Sequence, residues 1–173
     1  HVDEPITQDW TAADPKRGPV AIAVVGAGYW GRNLVRNALQ SPATRLTAVC
    51  DSDLARATSL AGSFSGVETI RDVRQLIEDE TVEAVAVATP PGTHLEVAMA
   101  AIEAGKHVLV EKPLAASYAE GRALVTAAED QGVVLMCDHT YCYTPAVQRI
   151  RELVHSGVLG ELQFVDSVRI NLG

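Results

Sequence analysis

Short apolar runs rich in β-branched residues alternate with helical stretches along most of this chain. The runs are "VAIAVV" (20–25), "LTAVCD" (46–51), "VETI" (67–70), "VEAVAVAT" (82–89), "HVLVE" (107–111) and "VVLMCD" (133–138). Several are apolar without a period-2 break, the pattern of strands buried on both faces. Between them lie stretches with helical spacing and helical punctuation. "YWGRNLVRNALQ" places Leu34, Val35, Ala38 and Leu39 on one face. The next stretch opens at Ser52 or Asp53 as N-cap and stops at Gly62. A short helix follows over 72–79. Another runs from Thr93, as cap, to Gly105. A fifth opens on a Ser117-x-x-Glu120 capping box and stops at Gly132. Strand–helix–strand repetition requires crossover connections and a parallel sheet with helices on both faces. The predicted class is α/β, a Rossmann-type doubly wound parallel sheet over 19–138.

The chain has 173 residues, 47% of them hydrophobic and 21% charged, which suits a folded core rather than disorder. Its formal net charge of −8 offers no clustered basic face, so nucleic acid and anionic membranes are not expected partners. No apolar run approaches the ~20 residues that span a bilayer, and no secretory leader is legible at the start. Cys50, Cys137 and Cys142 are odd in number and form no CxxC pair. They read as reduced thiols in a cytoplasmic protein, and no metal site is expected.

Both ends differ from the middle. Residues 1–18 are polar and proline-bearing and read as a flexible arm. Residues 139–173 read as the start of a second, α+β domain. There "TPAVQRIRELVHSG" predicts a helix with Pro145 in its first turn and Val147, Ile150, Leu153 and Val154 on one face. Tyr141 and Tyr143, just before it, are expected to pack. "LQFVDSVRINLG" then alternates with period 2 and predicts a strand of about ten residues over 162–172. A lone strand leaves its backbone groups unpaired. Either the chain is a fragment, or this strand pairs with another copy in a homo-oligomer.

Chemistry-bearing residues gather where strands end. "VVGAGYWG" supplies Gly26, Gly28 and Gly31 as GxGxxG between the first strand and its helix, and Asp51 closes the second strand twenty positions after Gly31. GxGxxG alone is a weak signal; this context strengthens it. Gly26 permits the tight turn, Gly28 lets backbone approach a pyrophosphate, and Gly31 lets the helix pack on the strand. The helix start offers free N–H groups and a positive dipole end to phosphate. Tyr29 and Trp30 belong to the same turn and are assigned to the cofactor site with it. Asp51 is placed to accept from the adenosine ribose hydroxyls. It repels a 2′-phosphate, and no arginine follows it directly, so NAD is favoured over NADP; Arg56 lies further on. The plainer reading is a tight turn for the glycines and a capping or solvated aspartate for Asp51.

Two further turns fall on the same predicted edge. "ATPPGTH" ends the fourth strand, where Thr89, Pro90 and Pro91 give a rigid, donor-poor surface and His94 starts the next helix within reach of a cofactor. A turn without ligand contact fits that stretch equally well. "HVLVEKP" ends the fifth strand on Glu111, Lys112 and Pro113. A charged pair suits the rim of a crevice better than the sheet interior. Glu111 is placed to bond the nicotinamide-side ribose. Lys112 is placed to sit beside a carbonyl or hydroxyl in a redox step. On charge alone, a solvated surface pair is the simpler reading.

Together, "GAGYWGRN", "CDSD", "TPPGTH", "VEKPLA" and "SGVLGEL" closely resemble the glucose-fructose oxidoreductase / inositol dehydrogenase (Gfo/Idh/MocA) family from about Val20 to Gly173. "GYWGRNLVRN", "DHTYCYTPAV" and "DSVRINLG" are most similar to members oxidising nucleotide-linked sugars, such as UDP-N-acetylglucosamine 3-dehydrogenases. The resemblance implies an NAD(P)-dependent oxidoreductase that moves a hydride between nicotinamide and a sugar or nucleotide-sugar carbon. In it Lys112 positions substrate or relays its proton. It also implies a longer chain, with an open sheet forming the substrate pocket and a catalytic Asp-x-x-x-His helix that neither His139 nor His155 supplies. Thr144 departs from the family pattern, in which asparagine or arginine often precedes this proline. The alternative is a non-catalytic NAD-binding or interaction module that associates through its final strand.

Overall fold

The computed structural model describes residues 18–168 and 170. Its contacts divide the chain into two units, His1–Asp138 and His139–Gly173. In the first unit the elements run β1 (Val20–Val25), α1 (Tyr29–Gln40), β2 (Thr44–Cys50), α2 (Leu54–Ala61), β3 (Glu68–Ile70), α3 (Val73–Glu78), β4 (Ala84–Val87), α4 (His94–Glu103), β5 (His107–Val110), α5 (Tyr118–Gln131) and β6 (Leu135–Cys137). The strands form one sheet in the order β3-β2-β1-β4-β5-β6, and every pairing is parallel.

Side-chain alternation along each strand sorts the core into two layers. On one face Ala23, Val25, Ala48, Cys50, Val85, Val87, Val108 and Val110 pack with Leu76 of α3, Val97 and Ile102 of α4 and Leu124 of α5. On the other, Val24, Leu46, Val49 and Ala86 pack with Leu34 and Val35 of α1 and Ala57 and Ala61 of α2. A sheet apolar on both faces is why its strands read as unbroken β-branched runs. Burying each of the valine, leucine and isoleucine side chains among these contributes about 1.5–3 kcal/mol relative to exposure. Strand order reverses between β1 and β4, so the crevice of a doubly wound sheet opens there, at the carboxyl edge. The turns after β1, β2, β4, β5 and β6 all lie at that edge.

Helix ends follow local chemistry. Asp53 and Asp72 cap α2 and α3 by accepting from the amides of Ala55 and Arg74. Ser117 caps α5 by accepting from Glu120 N at 3.3 Å. The returning arm of that expected box goes one residue further back: Glu120 Oε2 accepts from Ala116 N at 3.0 Å. Gly132 ends α5 in the left-handed region, with φ 67°. Thr93 departs from expectation. A 3-10 turn over Pro91–Thr93 precedes α4, and Thr93 makes no side-chain cap. Its hydroxyl donates instead to the Pro90 carbonyl at 2.8 Å, because the two prolines bring that carbonyl round.

The second unit has a 3-10 turn at Thr140–Tyr143 and one helix, α6 (Pro145–His155), opened by Pro145 as expected. No residue of α6 is fully buried, and Ile150 is exposed. Tyr141 and Tyr143 are also exposed rather than packed. The strand expected over 162–172 is not formed at 162–168, which pairs with no strand among the described residues. Leu162, Phe164, Val165 and Val168 stand exposed. Alternation encodes a face, but a strand also needs a neighbouring ladder, and none is present there. The rest of that stretch, apart from Ile170, and the arm expected over 1–18, apart from Gly18, lie outside the described residues. No helix among the described residues is long and apolar enough to cross a membrane.

The tightest constraint in the fold is at Gly31. A Cβ there would stand 1.8 Å from the Gly26 carbonyl oxygen, a backbone atom. Gly31→Ala is expected to lower unfolding free energy by about 3 kcal/mol or more, measured by urea denaturation; a loss below about 0.5 kcal/mol contradicts this packing.

Candidate functional site

The glycine turn is held from both sides. Gly26 has φ +102°, and a Cβ on it would meet the Ala88 carbonyl oxygen at 2.6 Å. Its amide donates to Cys50 O at 2.8 Å, tying the turn to the end of β2. Gly26 and Gly31 are therefore required by the protein itself. Gly28 is different. Its φ of −76° is open to any residue, and a Cβ there would meet nothing within 4 Å. Among the described residues, no atom beyond its chain neighbours occupies the space above Gly28. Just beyond it α1 begins with no side-chain cap and no acidic residue in its first turn. Its N-terminal amides and dipole end are thus left for an anion.

Asp51 has a structural task besides the expected one. Its Oδ2 accepts from Ala27 N at 2.8 Å and its Oδ1 from Asp53 N at 2.8 Å. The carboxylate thus fixes the glycine turn against the end of β2. Charge-assisted bonds of this kind contribute about 1.5–3 kcal/mol each. Each oxygen keeps a further lone-pair direction for a ribose hydroxyl. A cleft of about 550 Å³ opens between the starts of α1 and α2, lined by Ala27, Gly28, Tyr29, Arg32, Ala55, Arg56 and Ser59. Arg56 lies 3.3 Å from Asp53, with both side chains at least half exposed, so the pair adds little to stability. Tyr29 and Trp30 stand edge to face, ring centroids 5.4 Å apart, and both are exposed.

The two other edge turns are joined by His94. The residue is 1% exposed. Nδ1 lies 2.8 Å from the Pro113 carbonyl oxygen and Nε2 2.8 Å from the Thr89 carbonyl oxygen. Both ring nitrogens of His94, which was expected within reach of a cofactor, are engaged by backbone, one from each turn. Thr89 is half-buried, while Pro90 and Pro91 are exposed beside it.

Glu111 and Lys112, expected as a rim pair, differ in exposure. Lys112 is exposed, and its bond to Pro113 is cis. Glu111 is 6% exposed, and its Oε1 is buried without a hydrogen-bond partner. Burial, and then the neighbouring Asp138 charge, push the Glu111 carboxyl above the ordinary carboxylate range. Asp138 was not anticipated. The signal was present, since "VVLMCD" ends on an acid as "LTAVCD" does, but only the strand register sets it beside Glu111. Arg32 and Ser59 of the cleft were likewise missed. The Cys50 thiol is pushed up to about 11 by burial and by Asp51 and Asp72, which leaves it a core residue rather than a nucleophile. Among the described residues no group of His, Cys, Asp and Glu is placed to hold a metal.

The sequence profile of an oxidoreductase family with an NAD-binding Rossmann fold matches residues 20–139. The chain is similar to D-glucoside 3-dehydrogenase of Escherichia coli (strain K12), 33% identical over 150 residues that cover 83% of this chain and 41% of the relative. Among solved structures it is similar to GenD2 from gentamicin A biosynthesis, in complex with NAD. That match has 36% identity and a TM-score of 0.76, and covers 82% of this chain and 40% of that one. It is also similar to KijD10, a 3-ketoreductase from Actinomadura kijaniata, in complex with TDP-benzene and NADP. Here the identity is 29% and the TM-score 0.75, over 83% of this chain and 46% of that one. The chain spans about 40% of the length of the curated relatives it matches.

The site's glycines should separate by experiment. Gly28→Ala is expected to change unfolding free energy by less than about 0.5 kcal/mol while weakening dinucleotide binding at least tenfold, read by calorimetry. For Glu111 the sign follows from its raised value. The folded state holds the proton to higher pH than the unfolded chain, so the contribution of this group is complete below the ordinary carboxylate value. It is lost as pH rises through the raised one. Glu111→Gln should flatten that fall in a series of melts from acid to neutral pH; an unchanged slope would place the effect elsewhere.

Proposed function

The chain belongs to the Gfo/Idh/MocA family of oxidoreductases, whose members carry an NAD-binding Rossmann fold, and from that membership we propose that it is the cofactor-binding part of an NAD-dependent sugar or nucleotide-sugar dehydrogenase. The observation that carries the reading is the unfilled space over Gly28, set against an uncapped helix start. This reading places a pyrophosphate there, since among the described residues no contact beyond the chain neighbours of Gly28 accounts for a glycine. The amides at the start of α1 bind the phosphates. Asp51, already oriented by two backbone amides, accepts from the adenosine ribose hydroxyls and disfavours a 2′-phosphate. Relatives have been solved with NAD and with NADP, so the preference for NAD rests on Asp51. Arg56 lines the same cleft, but its guanidinium leans on Asp53.

At the other end of the crevice, the buried Oε1 of Glu111 lacks a donor, and a hydroxyl of the nicotinamide-side ribose supplies one. Thr89, Pro90 and Pro91 wall the site, with Thr89 and Pro113 held in step through His94. Bound NAD supplies a hydride acceptor at its nicotinamide ring. Lys112, exposed at the rim, donates from Nζ to orient the substrate hydroxyl and relays its proton, giving one of its own to water as it receives the hydroxyl's. The sugar class is supported by the glucoside-oxidising relative, and the nucleotide-sugar class by the quoted motifs and by a neighbour solved with a TDP compound. Three cysteines without a CxxC pair, Cys50, Cys137 and Cys142, suit a reducing, cytoplasmic setting.

Two substitutions test this assignment. Asp51→Ala should weaken NAD binding about tenfold or more, a loss of at least ~1.4 kcal/mol, and narrow the margin between NAD and NADP. In a chain of the relatives' full length, Lys112→Ala should lower turnover with sugar substrates by about 10²–10⁴-fold while NAD affinity stays within about twofold. Turnover unchanged by Lys112→Ala removes the catalytic role.

A further inference from the structure

Glu111 and Asp138 are the first residues beyond β5 and β6. Val110 and Cys137 are paired in register, so the two acids that follow stand side by side on the same face of the sheet. The backbone fixes both: Glu111 N donates to Val87 O at 2.9 Å and Asp138 N to Val110 O at 2.8 Å. Glu111 is buried, with an oxygen that has no partner, and Asp138 is half-buried. Two ionised carboxylates so placed repel, and burial raises the cost of each charge. A single proton turns the pair into a donor and an acceptor.

The surroundings favour retaining that proton on Glu111. Burial and Asp138 act in this direction, while the amide and ammonium of Lys112 oppose it. Cys137 adds no opposing charge, because burial and both carboxyls push its thiol up. On the other flank, β4 presents the Val87 carbonyl and buried apolar side chains, and His94 is committed to Thr89 and Pro113.

We propose that Glu111 and Asp138 form a proton-holding pair that releases its proton when the oxidised cofactor binds and keeps it when the reduced cofactor binds. The inference rests on the proposed function, since it needs the nicotinamide end of the dinucleotide beside Glu111. The oxidised ring is cationic and the reduced ring is neutral. A cation close to the pair stabilises the second carboxylate, so the proton passes from Glu111 to solvent as the oxidised form enters, and the freed oxygen accepts from a ribose hydroxyl. Between the ordinary carboxylate value and the raised one, the free protein holds the proton and the oxidised complex does not. Affinity for the oxidised cofactor therefore climbs with pH across that interval, by up to about tenfold per pH unit, and affinity for the reduced cofactor stays level. Asp138 acts through Glu111 and is a positioning residue.

The test is calorimetry of this chain with NAD and with NADH, in two buffers of different protonation enthalpy at one pH inside the interval. The expected result is net proton release, up to one per NAD bound, and none with NADH. Glu111→Gln should abolish the release, and Asp138→Asn should reduce it while NAD still binds. Equal proton exchange with the two cofactors, or release undiminished in Glu111→Gln, overturns the inference and leaves the proposed function standing, because both cofactors still bind. Failure of either cofactor to bind at roughly millimolar concentration overturns both.

Discussion

A parallel sheet buried on both faces has no room for polar side chains along most of its length. In this protein that constraint decides where chemistry can occur. Valine, alanine, isoleucine and leucine line both faces of β1, β4 and β5, and glycine or polar residues come where the strands leave the sheet. The glycine turn, Asp51, Thr89, Glu111 and Asp138 all follow strand ends on one edge. An ionised group further in would need several kcal/mol of compensation; at the edge it needs one well-placed partner.

Within that edge the backbone provides the precision. The contact of Gly31 with the Gly26 carbonyl sets the angle at which α1 leaves β1, and so the direction of its amide-bearing end. Asp51 locks the same turn to β2 through two amides. His94 ties the turn after β4 to the turn after β5. These are fixed tethers of short reach, so a ligand bound at this edge, as proposed, would meet a preformed surface and spend little of its binding energy on ordering the protein.

Much of this could be read from the residues alone. β1 and α1 run over the residues that their patterns predicted, because a buried β-branched run and a 3.6-period face are strong local signals. Strand ends were less legible: "VEAVAVAT" gave a run longer than the paired segment Ala84–Val87, since pairing depends on the neighbouring strands. Three features needed the third dimension. His94 reads as a polar residue opening a helix, and only the meeting of two turns buries it. Glu111 reads as half of a surface pair, and its burial comes from strands packed around it. The alternation of 162–168 predicted a strand, but pairing is a property of a neighbour that a local pattern does not contain.

The central claim is that a dinucleotide lies across the carboxyl edge, with its phosphates on the start of α1 and its nicotinamide end by Glu111 and Lys112. Backbone amide resonances followed by NMR during titration with NAD test it most directly. The account predicts that the largest shifts fall on Gly28–Gly31, with a second group at Thr89 and at Glu111–Lys112. Saturating NAD that leaves those amides unmoved, or moves residues at the opposite edge instead, would contradict it.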